Sequence, residues 1–149
     1  MLEAEVAPHT DAMVLHALIA PELRLHSTDV LALGDDAWHV RLVVENAGWL
    51  PTNVTSKAIE RKVARPVEAT IDLPEGATLR AGTRRIDIGH LAGRVGRTSS
   101  IGLFVNLNDL TADRAKAEWV VTAPAGTVVH VSAGTPRAGT VATDVTLTT

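Results

Sequence analysis

The chain has 149 residues, a net charge of -3 and a hydrophobic fraction of 46%, a composition typical of a globular domain with one sizeable core. Aromatic residues make up only 3% of the chain, and no global cationic field exists, so neither nucleic acid nor a membrane surface is expected as a partner. Cysteine is absent, which excludes disulfides, thiolate nucleophiles and cysteine-ligated metals.

A short helix is predicted over residues 10–20, with Thr10 or Asp11 as its cap and Pro21 as its stop. Apolar residues recur there at about helical spacing: Met13, Leu15, Leu18 and Ile19. The acidic start of the chain is unlike a signal peptide, and no apolar run is long enough to span a bilayer. We therefore expect residues 1–22 to be a linker with a short helix, and residues 23–149 to form one β-domain.

Beyond Pro21 the hydrophobic period changes from about 3.6 to 2, which indicates half-buried strands. Strands are predicted over residues 38–45, 67–73, 84–91, 101–107, 115–122, 127–133 and 141–147. Each is bounded by Gly, Pro, Asn or Asp, and residues 55–63 are the only other helical stretch. The pattern predicts an all-β fold, an antiparallel β-sandwich of seven or eight strands with one short N-terminal helix.

A search for catalytic motifs finds none. The chain has six histidines, but no His-x-x-Glu spacing, and the closest approach is His26-Ser27-Thr28-Asp29. No serine lies in a Gly-x-Ser-x-Gly elbow. We therefore predict no metal, cofactor or nucleophile site in this chain, and the one enzymatic alternative is a site in which His90, His130 or Asp87 converge in space.

Two features point to binding instead. Trp49-Leu50-Pro51 places a large indole beside a rigid proline just after a predicted strand, which suits either closure of the core or contact with another domain. Basic residues cluster around Arg61, Lys62 and Arg65, and again from Arg80 to Arg97. They are interpreted either as a partner-binding edge or as a solvated sheet face that discourages edge pairing.

Several separated motifs resemble the C-terminal region of bacterial M14-family zinc carboxypeptidases, over about residues 23–147. They are Leu33-Gly34-Asp35, Val44-Glu45-Asn46-Ala47-Gly48-Trp49-Leu50-Pro51-Thr52, Lys57-Ala58, Arg65-Pro66-Val67, Ile88-Gly89-His90-Leu91-Ala92-Gly93-Arg94, Glu118-Trp119-Val120-Val121 and Pro136-Arg137-Ala138-Gly139. In that family the zinc ligands lie in a separate α/β catalytic domain. The resemblance therefore implies a β-rich domain that carries no zinc ligand or catalytic residue of its own.

The resemblance also implies a partner, the catalytic carboxypeptidase domain of the same polypeptide, on which this domain would pack. The candidate interface residues are Trp49, Leu50, Pro51, Thr52, His90, Leu91, Arg94 and Arg137. The alternative is a free-standing sandwich module that holds a peptide, a protein or a glycan through loops with Trp49, Arg94, Arg97 and Arg137. An exposed interface is also expected to favour homo-oligomers of the isolated chain.

Overall fold

The structure is a computed structural model that describes residues 2–94 and 111–148. Its elements in chain order are α1 (Leu2–Leu18), β1 (Leu23–Gly34), β2 (Ala37–Asn46), α2 (Ser56–Glu60), β3 (Glu68–Asp72), β4 (Thr78–Ala81), β5 (Arg85–Asp87), β6 (Arg114–Thr122), β7 (Val128–Thr135) and β8 (Gly139–Thr146). The predicted all-β fold with an N-terminal helix is confirmed.

The eight strands of the described residues form two four-stranded antiparallel sheets. Sheet A has the order β1-β2-β6-β4, and sheet B has the order β5-β3-β7-β8. From β2 to β7 consecutive strands alternate between the sheets: the chain passes from sheet A to sheet B through the long segment from β2 to β3, and it is back in sheet A at β4 and at β6. The segment from β2 to β3 lies at one end of the sandwich, and it holds most of the residues that the sequence singled out.

The core lies between the sheets, where the alternating apolar residues of the central strands meet. On β2 every second residue from Trp38 to Val44 is buried, as the alternation predicts. The buried set that packs across from sheet to sheet includes Trp38, Val40, Leu42, Val44, Ala69, Ile71, Trp119, Val121, Val129 and Val131. Both buried indoles also donate their N–H to a carbonyl, Trp38 to Ala123 and Trp119 to Thr83, at 2.8 Å each.

Two strands of the structure, β1 and β4, were not predicted from the sequence. β1 pairs only with β2, its ladder shifts register twice, and Leu25, Leu31 and Leu33 are exposed, so its hydrophobic pattern does not alternate. β4 has four residues and a register shift between Leu79 and Ala81. The strand predicted over residues 101–107 lies outside the described residues.

The N-terminal helix begins earlier than predicted. α1 starts at Leu2, and Pro8 lies inside it. Thr10 is not a cap, because its hydroxyl donates to the carbonyl of Val6 one turn back at 3.3 Å. The second predicted helix is shorter than residues 55–63: α2 spans Ser56–Glu60, and the Thr55 hydroxyl caps it by accepting from the backbone of Ala58. Within the described residues, no helix combines the length and the apolar character needed to cross a membrane.

Candidate functional site

Four separate segments meet at one end of the sandwich, which we call the loop end: residues 19–22, 47–66, 88–94 and 135–138. Backbone hydrogen bonds join Leu50 to Ile19 at 3.0 Å and Thr52 to Leu91 at 2.9 Å. The Thr135 hydroxyl donates to the carbonyl of Arg65 at 3.1 Å, and so brings the turn after β7 to the same end. The loop end thus collects all eight candidate interface residues.

Asn46, the last residue of β2, is the buried centre of the loop end. Its side-chain carbonyl accepts from the backbone N–H groups of Glu22 and Gly48, both at 3.0 Å. Its amide donates to the carbonyls of Leu50 at 2.8 Å and Ala92 at 3.2 Å. Four hydrogen bonds fill the ordinary capacity of an asparagine side chain, so one residue ties three chain segments together.

Two glycines allow these segments to approach closely. A Cβ atom at Gly48 would collide with the backbone of Ala20 and Pro21, and one at Gly93 would collide with the backbone of Trp49 and Leu50. Both positions require glycine because the obstacle is main chain, which cannot move aside as a flexible side chain can. This close packing explains why a glycine stands between Ala47 and Trp49.

The candidate interface residues divide into a buried group and an exposed group. Thr52 and Leu91 are buried in the domain, where the Thr52 hydroxyl accepts from the backbone of Leu91 at 2.9 Å, so neither side chain is available to a partner. Trp49 is 44% exposed. The half-buried residues are Leu50, Pro51 and His90, and the exposed ones are Arg94 and Arg137. The surface available to a partner is therefore centred on Trp49.

The segment that follows Trp49 is strained. Pro51 and Val54 close a turn with a backbone hydrogen bond of 2.9 Å, and Val54 then takes a φ of 64°, the left-handed region that a β-branched residue seldom adopts. Such a conformation costs about 1–2 kcal/mol. Strained residues of this kind are concentrated at binding and catalytic sites, so the loop after Trp49 is a candidate functional segment.

α1 leaves the sandwich at the loop end with its apolar side chains uncovered. Met13 is 74% exposed and Leu18 is 70% exposed, and every described side chain from residue 6 to residue 18 is exposed. The exposed apolar residues of the helix are Val6, Met13, Val14, Leu15 and Leu18. An isolated helix of this length is marginal in water, so α1 needs a surface to pack on.

The lack of ion-pair partners around α2, among the described residues, was not predicted from the sequence. Lys57, Arg61, Lys62 and Arg65 are all exposed, and none of them has an ion-pair partner among the described residues. The sequence shows these cations, but it does not show which acids pair with them. In the structure Glu68 forms an ion pair with Arg85, at 3.5 Å, and not with the cations around α2.

The cations on the outer face of sheet A, in contrast, are matched by acids. Arg41 lies 2.8 Å from Asp29, and Lys116 lies 2.9 Å from Glu118. The hydrogen bond and charge of Lys116, followed by the charges of His39 and Arg41, hold the pKa of Glu118 below its ordinary value. A shallow concavity of about 440 Å³ on this face is lined by Arg41 and Lys116 among others. The charges of Arg41 and Lys116 are therefore already neutralised by ion pairs within the domain.

Of the residues proposed for a hidden active site, His130 and Asp87 have other partners. The His130 ring lies 2.7 Å from Asp144 on the outer face of sheet B, and Asp87 accepts a hydrogen bond from the backbone of Gly89 at 2.8 Å. The Nδ1 atom of His90 is buried, with no hydrogen-bond partner in the described part of the chain. No group of three or more metal-ligating side chains forms among residues 2–94 and 111–148. Arg97 lies outside that part.

Comparison with known proteins gives a family and no further relatives. The family model described as "Domain of unknown function (DUF8731)" matches residues 22–146. The chain belongs to this family. The match runs from the linker before β1 to the end of β8 and leaves α1 outside. Neither a curated protein nor a solved structure matches the chain.

Proposed function

We propose that the chain is a noncatalytic accessory domain that docks on a partner domain through α1 and the Trp49 surface. The observation that carries this proposal is the position of α1: an uncovered apolar helix is fixed to the sandwich beside an exposed tryptophan. Exposed apolar side chains grouped in this way are typical of an interaction surface.

The partner that we propose is the catalytic domain of a zinc carboxypeptidase. This part of the proposal rests on the motifs that the chain shares with the C-terminal region of that family, including the segment from Asn46 to Thr52. Zinc and the catalytic residues would then belong to the partner domain. The role of this chain would be to stabilise that domain and to border its surface at the loop end.

The first test is the reading frame upstream of residue 1. We expect it to encode a His-x-x-Glu motif followed by a later histidine, joined to this chain without a stop codon. A stop codon immediately before Met1 would contradict an accessory role and leave the free-standing binding module as the better hypothesis. The purified chain should release no C-terminal residue from peptides, with or without added zinc, and any such release would also contradict the proposal.

The second test is mutation in the longer protein. We expect Trp49→Ala to lower the melting temperature of the catalytic domain and to speed proteolysis at residues 19–22, because loss of a buried interface tryptophan typically costs about 2 kcal/mol or more. The matched control is Leu33→Ala, an apolar side chain of 54% exposure near the β1–β2 turn, at the opposite end of β2. Equal effects of the two variants would show that Trp49 does not contact the catalytic domain.

A further inference from the structure

α1 and the segment around α2 carry opposite charges. α1 contains three acidic residues, Glu3, Glu5 and Asp11, and no lysine or arginine. Residues 56–66 contain four cations and one acid, Glu60, and therefore have a net charge of +3. In a chain whose overall charge is -3, this separation places an acidic helix and a basic surface at the same end of the molecule.

The basic surface also has apolar side chains that a helix can cover. We define the α2 surface as Lys57, Ile59, Arg61, Lys62, Val63 and Arg65. Ile59 is 45% exposed and Val63 is 61% exposed, and both lie between the cations in sequence. This surface combines exposed apolar residues with cations that have no ion-pair partner among the described residues. It is complementary to an apolar helix that carries acids, because apolar contact and charge attraction act together.

α1 does not occupy the α2 surface of its own chain. The residue after its last turn, Ile19, is held in place because its carbonyl accepts from Leu50. Glu22 is fixed by two more hydrogen bonds, since its N–H donates to the Asn46 side-chain carbonyl and its own carbonyl accepts from Ala47. The direction of the helix is therefore set by the loop end. With that direction its side chains from residue 6 to residue 18 remain exposed.

We propose that two copies of this chain form a dimer in which the α1 helix of each copy lies on the α2 surface of the other. Each copy gives one helix and receives one, so the contact closes with twofold symmetry and leaves neither surface free for a third copy. The dimer covers the side of α1 that carries Val14, Leu15 and Leu18, and it places Asp11, which shares that side at helical spacing, against Arg61 and Lys62. This self-association goes beyond the proposed docking function, and because it uses the same helix it describes the chain when no partner domain covers α1.

The test is an exchange of charges followed by mixing of the variants. In the first variant, E5K/D11K, a basic α1 faces the basic α2 surface. In the second variant, R61E/K62E, an acidic α2 surface faces the acidic α1. All four positions lie on α1 or immediately after α2, so the sandwich core is unchanged. Sedimentation velocity over a concentration series measures the dimer dissociation constant of each.

We expect the wild-type chain to be a dimer that salt weakens, and each variant to dimerise at least about tenfold more weakly. An equimolar mixture of the two variants should form heterodimers with an affinity near that of the wild type, because both of its contacts then join opposite charges. The control is R80E/R84E, which makes the same charge change as R61E/K62E at exposed arginines outside the α2 surface. We expect it to dimerise as the wild type does.

Three results would overturn the dimer: a wild-type chain that stays monomeric at every concentration reached, a mixture that stays monomeric, or a control as weak as R61E/K62E. Restoration by mixing also guards against misfolding, since two unfolded variants would not rescue each other. The assay uses this chain alone. Its failure is therefore distinguishable from failure of the docking function, which depends on Trp49→Ala in the longer protein.

Discussion

Asn46 shows how one side chain can organise a loop end that has little regular structure. Loops carry backbone donors and acceptors that no strand or helix satisfies, and when they are buried each of these groups needs a partner. The Asn46 side chain forms one hydrogen bond to the backbone of each of four residues, Glu22, Gly48, Leu50 and Ala92. It therefore holds the surface around Trp49 in one arrangement before any partner binds.

We predict that Asn46→Ala lowers the free energy of unfolding by about 2–4 kcal/mol, because it leaves buried backbone groups without partners. Urea denaturation measures the effect. The matched control is Asn53→Ala in the same loop, where the backbone carbonyl, rather than the side chain, accepts from Arg137. If Asn46→Ala lowered the free energy of unfolding no more than Asn53→Ala does, the buried network would not stabilise the loop end.

At this scale the sequence predicted the site only in part. Trp49 and Pro51 stand out because a large indole and a rigid proline follow directly after a predicted strand, and the structure places Trp49 at the surface. The importance of Asn46 was not predicted, because its partners lie up to 46 residues away in sequence. Thr52 and Leu91 were expected at the interface, but they hydrogen bond to each other inside the domain.

Among the elements, β2 and β6 show what the outer face of a sheet contributes. Their inward residues form the core, while their outward residues form cross-strand ion pairs. Glu118 on β6 is the clearest case, since Lys116, His39 and Arg41 all favour its charged form. The pairs leave this face with few unpaired cations, in contrast to the α2 surface.

The Glu118 carboxylate gives a pH dependence of known sign. Because the fold lowers its pKa below the ordinary value of 4.5, the stability that it provides is fully present above that pH and is lost as the pH falls through the lower, folded value. We predict that the difference in unfolding free energy between wild type and Glu118→Gln shrinks between about pH 5 and pH 3. Denaturant titrations at several pH values measure it. A constant difference, or the same trend for Glu75→Gln in the exposed β3–β4 turn, would contradict this prediction.

At the scale of the whole molecule, the sandwich and α1 are connected at the loop end but packed separately. The core draws on both sheets, and no described side chain of α1 belongs to it. The family match begins at residue 22, just after the helix. The sandwich should therefore be the unit that folds, and α1 an extension available for contacts with another domain or another copy.

We predict that a chain starting at Ile19 unfolds with a free energy within about 1 kcal/mol of the full chain when both are measured at concentrations at which they are monomeric, because the exposed helix contributes little burial within its own chain. A chain starting at Leu23 should lose about 2 kcal/mol more, since it lacks the Glu22 groups that bond to Asn46 and Ala47. Urea denaturation of the two shortened chains separates these effects. A large loss on removal of residues 1–18 would show that α1 packs on the sandwich.

The sequence by itself determined the fold class and the core, because alternation along β2, β3, β6 and β7 depends only on which face of each strand is buried. It did not reveal β1, because an edge strand with two register shifts has no regular alternation. Only the tertiary structure decided which distant segments meet at the loop end, which of its residues are buried, and which cations around α2 have no ion-pair partner among the described residues. These properties depend on how chain segments far apart in sequence are brought together, and local periodicity carries no information about that.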